Sequence, residues 1–150
     1  MKIRLFCLYL FLVIPLCAQQ TTPRNKIIVA VVEKSLNDFS TALAMADTLL
    51  LKHLTGPNFV LLEEGRTFDY QDMILSIQKV FASGAKMKRV PLDFHTEIRG
   101  SVAWSNYNVT VEFESNQGKI VFSLLETAVL EKVGDKWLIV QMTTIPAANK

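Results

Sequence analysis

The sequence from Leu124 to Thr144 is LLETAVLEKVGDKWLIVQMTT, two apolar and β-branched runs joined by Gly134-Asp135. Glycine takes the positive φ that a tight two-residue turn requires, so this stretch predicts a β-hairpin. With this pair at the centre of the turn, counting outward places Glu126 directly opposite Thr143, with Gln141 one diagonal step away. We therefore expect one carboxylate among polar side chains on an otherwise apolar hairpin face.

Helices are predicted upstream of this hairpin. Apolar residues at helical spacing from Lys26 to about Ala46 indicate one long amphipathic helix. Asp47 is expected to cap a short second helix. Asp69, with Asp72 three residues later, is expected to begin a third helix that ends near Gly84.

Strands are predicted for most of the second half of the chain. A short strand is expected over residues 59–62, and the cluster Lys86–Arg89 is interpreted as a solvated loop. Beyond it the apolar period becomes two, which places Leu92, Phe94 and Ile98 on the buried side of a strand. Helices first and long strands afterwards indicate an α+β fold. The last two strands are apolar on both faces, which favours a homodimer formed through the sheet.

The first residues have the features of a secretory signal peptide. Lys2 and Arg4 precede an apolar run that is too short to span a bilayer, and cleavage is expected after Ala18. Acylation of Cys17, as in a lipoprotein, stays open as the alternative, although Leu16 is larger than the residue that such a signal needs. The predicted organisation is a signal peptide over residues 1–18, a disordered lead-in over residues 19–25 and a single domain over residues 26–147.

Cleavage would remove both cysteines and two basic residues. The mature chain then offers no disulfide, thiolate nucleophile or cysteine zinc site, and its formal charge is near zero. We expect a secreted, periplasmic protein without nucleic-acid partners and without membrane contact after cleavage. The sequence has no phosphate-binding glycine loop, dinucleotide fingerprint or nucleophile elbow, so no cofactor is expected.

Glu126 is the leading candidate site residue, because burying an unpaired carboxylate is costly and a donor should therefore meet it. One hypothesis makes it a pocket acid that binds a ligand hydroxyl or transfers a proton. The other gives it an internal hydrogen bond to Thr143, Gln141 or a helix side chain, with a structural role only. His95 and His53 are expected at the surface, so no metal site is predicted.

The hairpin, with Ala103-Trp104 and the turn Glu64-Gly65-Arg66 before a helix, resembles the SnoaL-like branch of the nuclear transport factor 2-like superfamily. The resemblance implies three N-terminal helices packed on a strongly bent antiparallel sheet, which together form a cone around a mostly apolar cavity. It also makes Trp104, Tyr70 and Asp38 candidate residues of the ligand pocket.

The resemblance leaves function open, because this family hosts isomerases, polyketide cyclases, hydrolases, binding domains and dimerisation modules. Thr143 stands where many relatives carry a histidine, and a threonine cannot act as a general base near neutral pH. We therefore expect non-catalytic binding of a small, largely apolar molecule, oriented by Glu126 and Thr143. The alternatives are an isomerase or cyclase-like enzyme with Glu126 as its base, and a homodimerisation or adaptor module.

Overall fold

The computed structural model describes the backbone of residues 23–147 and the side chains of residues 25–147. The predicted signal peptide, its cleavage site and most of the predicted lead-in lie outside the described residues.

The described helices are α1 (Pro23–Met45), α2 (Thr48–Leu54) and α3 (Tyr70–Ala82). Helix α1 begins three residues before the predicted Lys26, so residues 23–25, which were predicted to be part of a disordered lead-in, belong to the helix. Helices α2 and α3 begin where the sequence places their capping residues. The carboxylate of Asp47 accepts a hydrogen bond of 2.9 Å from the Leu50 N–H, and Asp69 and Asp72 form a capping box at the start of α3. Both predicted helix starts are confirmed. None of the described helices is long and apolar enough to cross a membrane.

The strands form one sheet with the order β2-β1-β6-β5-β4-β3. Their bounds are β1 (Thr55–Glu63), β2 (Arg66–Asp69), β3 (Lys86–Arg99), β4 (Val102–Ser115), β5 (Gly118–Val133) and β6 (Lys136–Pro146). Neighbouring strands are antiparallel except for β1 and β6, which are parallel. The α+β fold class is confirmed, and the sheet is mixed rather than wholly antiparallel.

The sheet packs one face, here called the inner face, against the helices. Alternate residues of β4 and β5 point to this face, as the period of two predicts, and α1 contributes Val32, Leu36 and Phe39 to the same core. The opposite, outer face keeps several apolar side chains between 38% and 54% exposed, namely Val90, Leu92, Val121, Leu125 and Ile145. The core therefore lies entirely between the helices and the inner face.

The hairpin of β5 and β6 turns at the predicted place but does not keep the predicted register. Val133 pairs with Lys136, and Gly134 has a φ of 59°. Between the pairs Leu130–Ile139 and Val129–Gln141, β6 contains one extra residue, Val140. This β-bulge shifts every later pair by one residue.

The predicted pairing of Glu126 with Thr143 is therefore wrong, and Glu126 pairs with Thr144. Because side chains alternate between the two faces, the shift places Thr144 on the inner face and Thr143 on the outer face. The bulge fits against β1, where a Cβ added to Gly56 would lie 2.9 Å from Cγ1 of Val140.

The second difference concerns β3, which begins at Lys86 and includes the whole cluster that was expected to be a loop. Arg89 pairs with Val111 and shares its inner-face position. A second bulge at Asp93, whose φ is 56°, reverses the parity of the strand. Phe94 and Ile98 therefore lie on the inner face as predicted, whereas Leu92 lies on the outer face, and its predicted burial is wrong.

Candidate functional site

A cavity of about 240 Å³ lies between the inner face of the sheet and helices α1 and α3. Most of its wall is apolar. Four polar residues also contribute, namely Glu63, Ser76, Arg89 and Thr144. Three of these come from adjacent or nearby strands, so the polar groups gather at the sheet side of the cavity.

The polar groups continue behind the cavity wall as a buried ion pair. The guanidinium of Arg89 bonds to Oε1 of Glu126, and the two side chains are only 10% and 3% exposed. Nε of Arg89 also lies 3.3 Å from Oγ of Ser40 on α1, and Oγ1 of Thr144 donates to Oε1 of Glu126 over 3.5 Å. Such a pair is stabilising only when further hydrogen bonds satisfy its remaining groups, as they do here.

Tyr107 completes the inner part of this cluster. It pairs directly with Glu126 across β4 and β5, and its ring packs 4.9 Å from the ring of Phe94. Burial raises the pKa of the Tyr107 phenol well above its ordinary value, and the negative charge of Glu126 raises it further. Tyr107 is therefore neutral at physiological pH and acts as a polar but uncharged neighbour.

Glu63 is the carboxylate that faces the cavity itself. It is half-buried, and it pairs with Thr144 of the neighbouring strand β6. Burial raises the pKa of Glu63, the negative charges of Glu64 and Glu126 raise it further, and Arg89 opposes them. Within residues 25–147, no side chain donates a hydrogen bond or forms a salt bridge to it. Glu63 is thus available to a bound molecule.

A larger cleft of about 690 Å³ adjoins the cavity and is lined by the end of β4, the first part of β5 and the end of β6. Cavity and cleft share Glu63, Arg89, Phe113 and Thr144, so the two spaces meet at the polar cluster. A molecule entering through the cleft would meet these polar groups before the apolar walls of the cavity.

Of the predicted site residues, Glu126 lies in this cluster, behind Arg89 rather than in the cavity wall. Thr143 and Gln141 do not line the cavity, because the bulge in β6 turns the first to the outer face and leaves the second exposed. Trp104 also occupies an outer-face position of β4, and the guanidinium carbon of Arg99 lies 5.4 Å from the centre of its ring.

The two predicted helix residues have structural partners elsewhere. The Tyr70 hydroxyl donates to the Thr48 carbonyl over 2.7 Å, which ties α3 to α2, and Asp38 forms an ion pair with Lys34 one turn earlier. Neither residue lines the cavity.

The sequence interpretation missed Glu63, Arg89 and Thr144. Arg89 could have been found from parity, because Met87 and Arg89 alternate with lysines in a pattern typical of a strand with one buried side. The buried carboxylate of Glu126 also required a donor, and Arg89 meets that need. Thr144 depended on the bulge, for which the sequence carries no clear signal.

The predicted surface histidines lie as expected. His95 is exposed on β3 among charged neighbours, and His53 is exposed in the last turn of α2. In the part of the chain that the structure describes, no three side chains are grouped as metal ligands.

The family described as a SnoaL-like domain matches residues 32–144. No curated protein matches the chain. A function-unknown protein from Mycobacterium tuberculosis has a similar structure, with a TM-score of 0.76 and 12% identity over 86% of this chain and 78% of that one. So does a nuclear transport factor 2-like superfamily protein from Salmonella enterica, with a TM-score of 0.72 and 13% identity over 83% and 94%. A CaMKII hub from S. rosetta is also similar, with a TM-score of 0.65 and 20% identity over 79% of this chain and 96% of that one. At these identities the likeness shows the fold alone.

Proposed function

We propose that this chain, which belongs to the SnoaL-like domain family, binds a small, largely apolar molecule in the 240 Å³ cavity without transforming it. The observation that carries the proposal is an apolar space that ends on a few polar groups. Small-molecule sites combine mainly apolar walls with a small number of polar groups that fix orientation. An apolar cavity of roughly 150 Å³ is large enough to bind benzene, so this one suits a somewhat larger molecule.

The position of Glu126 argues against the alternative in which Glu126 is the base of an enzyme. Its carboxylate does not line the cavity and is separated from it by Arg89 and Thr144, so Glu126 would not contact a bound molecule directly. A general base must come within hydrogen-bond reach of the proton that it takes. We therefore assign Glu126 the role of holding Arg89 in place.

The test is a calorimetric titration with octanol of the wild-type chain and two α3 variants. Ser76→Phe adds a ring at an exposed residue of the cavity wall, whereas Leu75→Phe makes a similar change at the next residue, which is 54% exposed and lies outside the wall. We expect octanol to bind the wild type and Leu75→Phe alike, and Ser76→Phe at least about tenfold more weakly. Absence of octanol binding to the wild type, or equal affinity of all three, would contradict the proposal.

We also propose that two copies associate through the outer face of the sheet. Ile145 pairs with Leu125 across β6 and β5, and Leu92 lies two strands further along the same row, with Asn108 between them. Exposed apolar side chains that are grouped on one face mark interaction surfaces. Leu125→Lys should convert a dimer to a monomer in light scattering, whereas Leu75→Lys on α3 should not. A wild-type chain that is monomeric at micromolar concentration would refute the proposal.

We propose, finally, that the protein acts outside the cytoplasm. The support is the sequence pattern of the first residues, which is typical of a cleaved signal. Fractionation of cells that produce the full chain, with mass measurement of the product, should find a periplasmic protein that begins after Ala18. A cytoplasmic product that retains Met1–Ala18 would refute it.

A further inference from the structure

The charges around the cavity do not balance. Arg89 supplies one positive charge, and Glu126 and Glu63 supply two negative charges. Arg89 is directly paired with Glu126, so these two charges largely cancel for any molecule in the cavity. Glu63 also faces the cavity, and among the described side chains no positively charged group is in contact with it.

The surroundings of Glu63 strengthen its preference for a positive partner. Its neighbours within the sheet include the hydroxyl of Thr144, and its half-buried position reduces screening by water. An anionic group placed here would be repelled by Glu63 and would find the guanidinium of Arg89 already bonded to Glu126 and close to Ser40. An ammonium group would instead meet one carboxylate and one hydroxyl acceptor.

We propose that the cavity takes an amphipathic primary amine, with its ammonium group on Glu63 and Thr144 and its hydrocarbon part against the apolar wall. This inference rests on the proposed binding function and specifies the class of ligand. The polar end would lie where cavity and cleft meet, so the hydrocarbon part would point towards α1 and α3.

Three probes of equal chain length separate charge from hydrocarbon burial, namely octylamine, octanol and octanoate. We expect the wild-type chain to bind octylamine at least about tenfold more tightly than octanol, as for a partly desolvated charge pair, and octanoate more weakly than octanol. Glu63→Gln should remove the advantage of the amine and keep the affinity for octanol. Glu131→Gln, which removes an exposed carboxylate outside the cavity wall, should behave as the wild type.

The outcomes separate this inference from the function on which it rests. Equal binding of octylamine and octanol, or tighter binding of octanoate, would overturn the amine assignment and leave apolar binding intact. An amine preference that persists in Glu63→Gln would overturn the placement of the ammonium group on Glu63. Failure of all three probes to bind the wild type would overturn both. Thermal unfolding of each variant, followed by circular dichroism, verifies that a lost preference comes from a folded protein.

Discussion

The buried pair of Arg89 and Glu126 gives the strongest prediction about stability. Removing one partner of a buried ion pair leaves an unpaired charge in the protein interior, which costs about 3–5 kcal/mol. Arg89→Met removes the guanidinium and leaves Glu126 with the 3.5 Å contact from Thr144. It also leaves Glu126 and Glu63 without the positive charge that both now face. We therefore expect the full cost of about 3–5 kcal/mol for this variant.

Glu126→Leu should be less damaging, although it removes the other half of the same pair. Arg89 would keep Ser40 at 3.3 Å and the nearby negative charge of Glu63. We expect a loss of about 2–3 kcal/mol. The double variant replaces the pair with apolar side chains and should lie within about 2 kcal/mol of the wild type, since well-packed apolar replacements of buried pairs are often neutral.

Urea unfolding of the four proteins gives the coupling free energy directly. For a chain of this length, a loss of 3–5 kcal/mol also lowers the midpoint temperature of thermal unfolding by on the order of 10 °C. The exposed pair of Lys119 and Glu112 provides a control, and Lys119→Met should leave the midpoint nearly unchanged. Single substitutions of Arg89 and Glu126 that each cost less than about 1 kcal/mol, as exposed pairs do, would refute the reasoning. A double variant whose loss of stability equals the sum of the losses in the two single variants would also refute it.

Three further predictions follow from the strands around the cavity. The pKa of Glu63 is raised above its ordinary value of 4.5, so folding favours the protonated carboxyl, and the free energy of unfolding should fall as pH rises through the raised pKa. Glu63→Gln should remove this fall. In urea unfolding at several pH values, the stability of this variant relative to wild type should therefore be greatest at pH values above the raised pKa. Gly56→Ala should cost about 1–3 kcal/mol in the same assay, because its Cβ would lie 2.9 Å from Val140 Cγ1, and Val140→Ala should recover much of the loss. Thr144→Val should lower the free energy of unfolding by about 1 kcal/mol, because it removes the hydrogen bond to Glu126. Thr143→Val on the outer face should be nearly neutral, and equal effects of the two substitutions would contradict the register set by the bulge.

The parts of the fold that the sequence predicted well depend on contacts between close neighbours. The caps at Asp47 and Asp69 involve residues three positions away, so the pattern contains both partners. The turn at Gly134 is equally local. Helix starts, hairpin position and fold class could therefore be predicted without knowledge of packing.

The candidate site depends on contacts between distant parts of the chain. Arg89 and Glu126 are 37 residues apart and meet across an intervening strand, so neither one identifies the other in the sequence. Counting from the turn gives the correct pairs as far as Leu130 and Ile139, after which one extra residue reverses the faces. Propensity alone does not predict that residue, because a bulge is stabilised by its neighbours, here the close approach of Gly56 to Val140.

The bulge also makes the register of β6 a determinant of cavity chemistry. If Val140 instead paired with Val129, the bulge would be lost and the two sides of the strand beyond it would exchange, whereas deleting Val140 would keep the later pairs as they are. In the bulge-free register Thr143 and Ile145 would face the cavity, and Met142 and Thr144 would face the outer surface. Loss of the bulge at unchanged strand length could thus change both ligand preference and subunit contacts in one step, without any substitution in the wall. Variation among related chains is therefore better compared by face than by residue count from the turn.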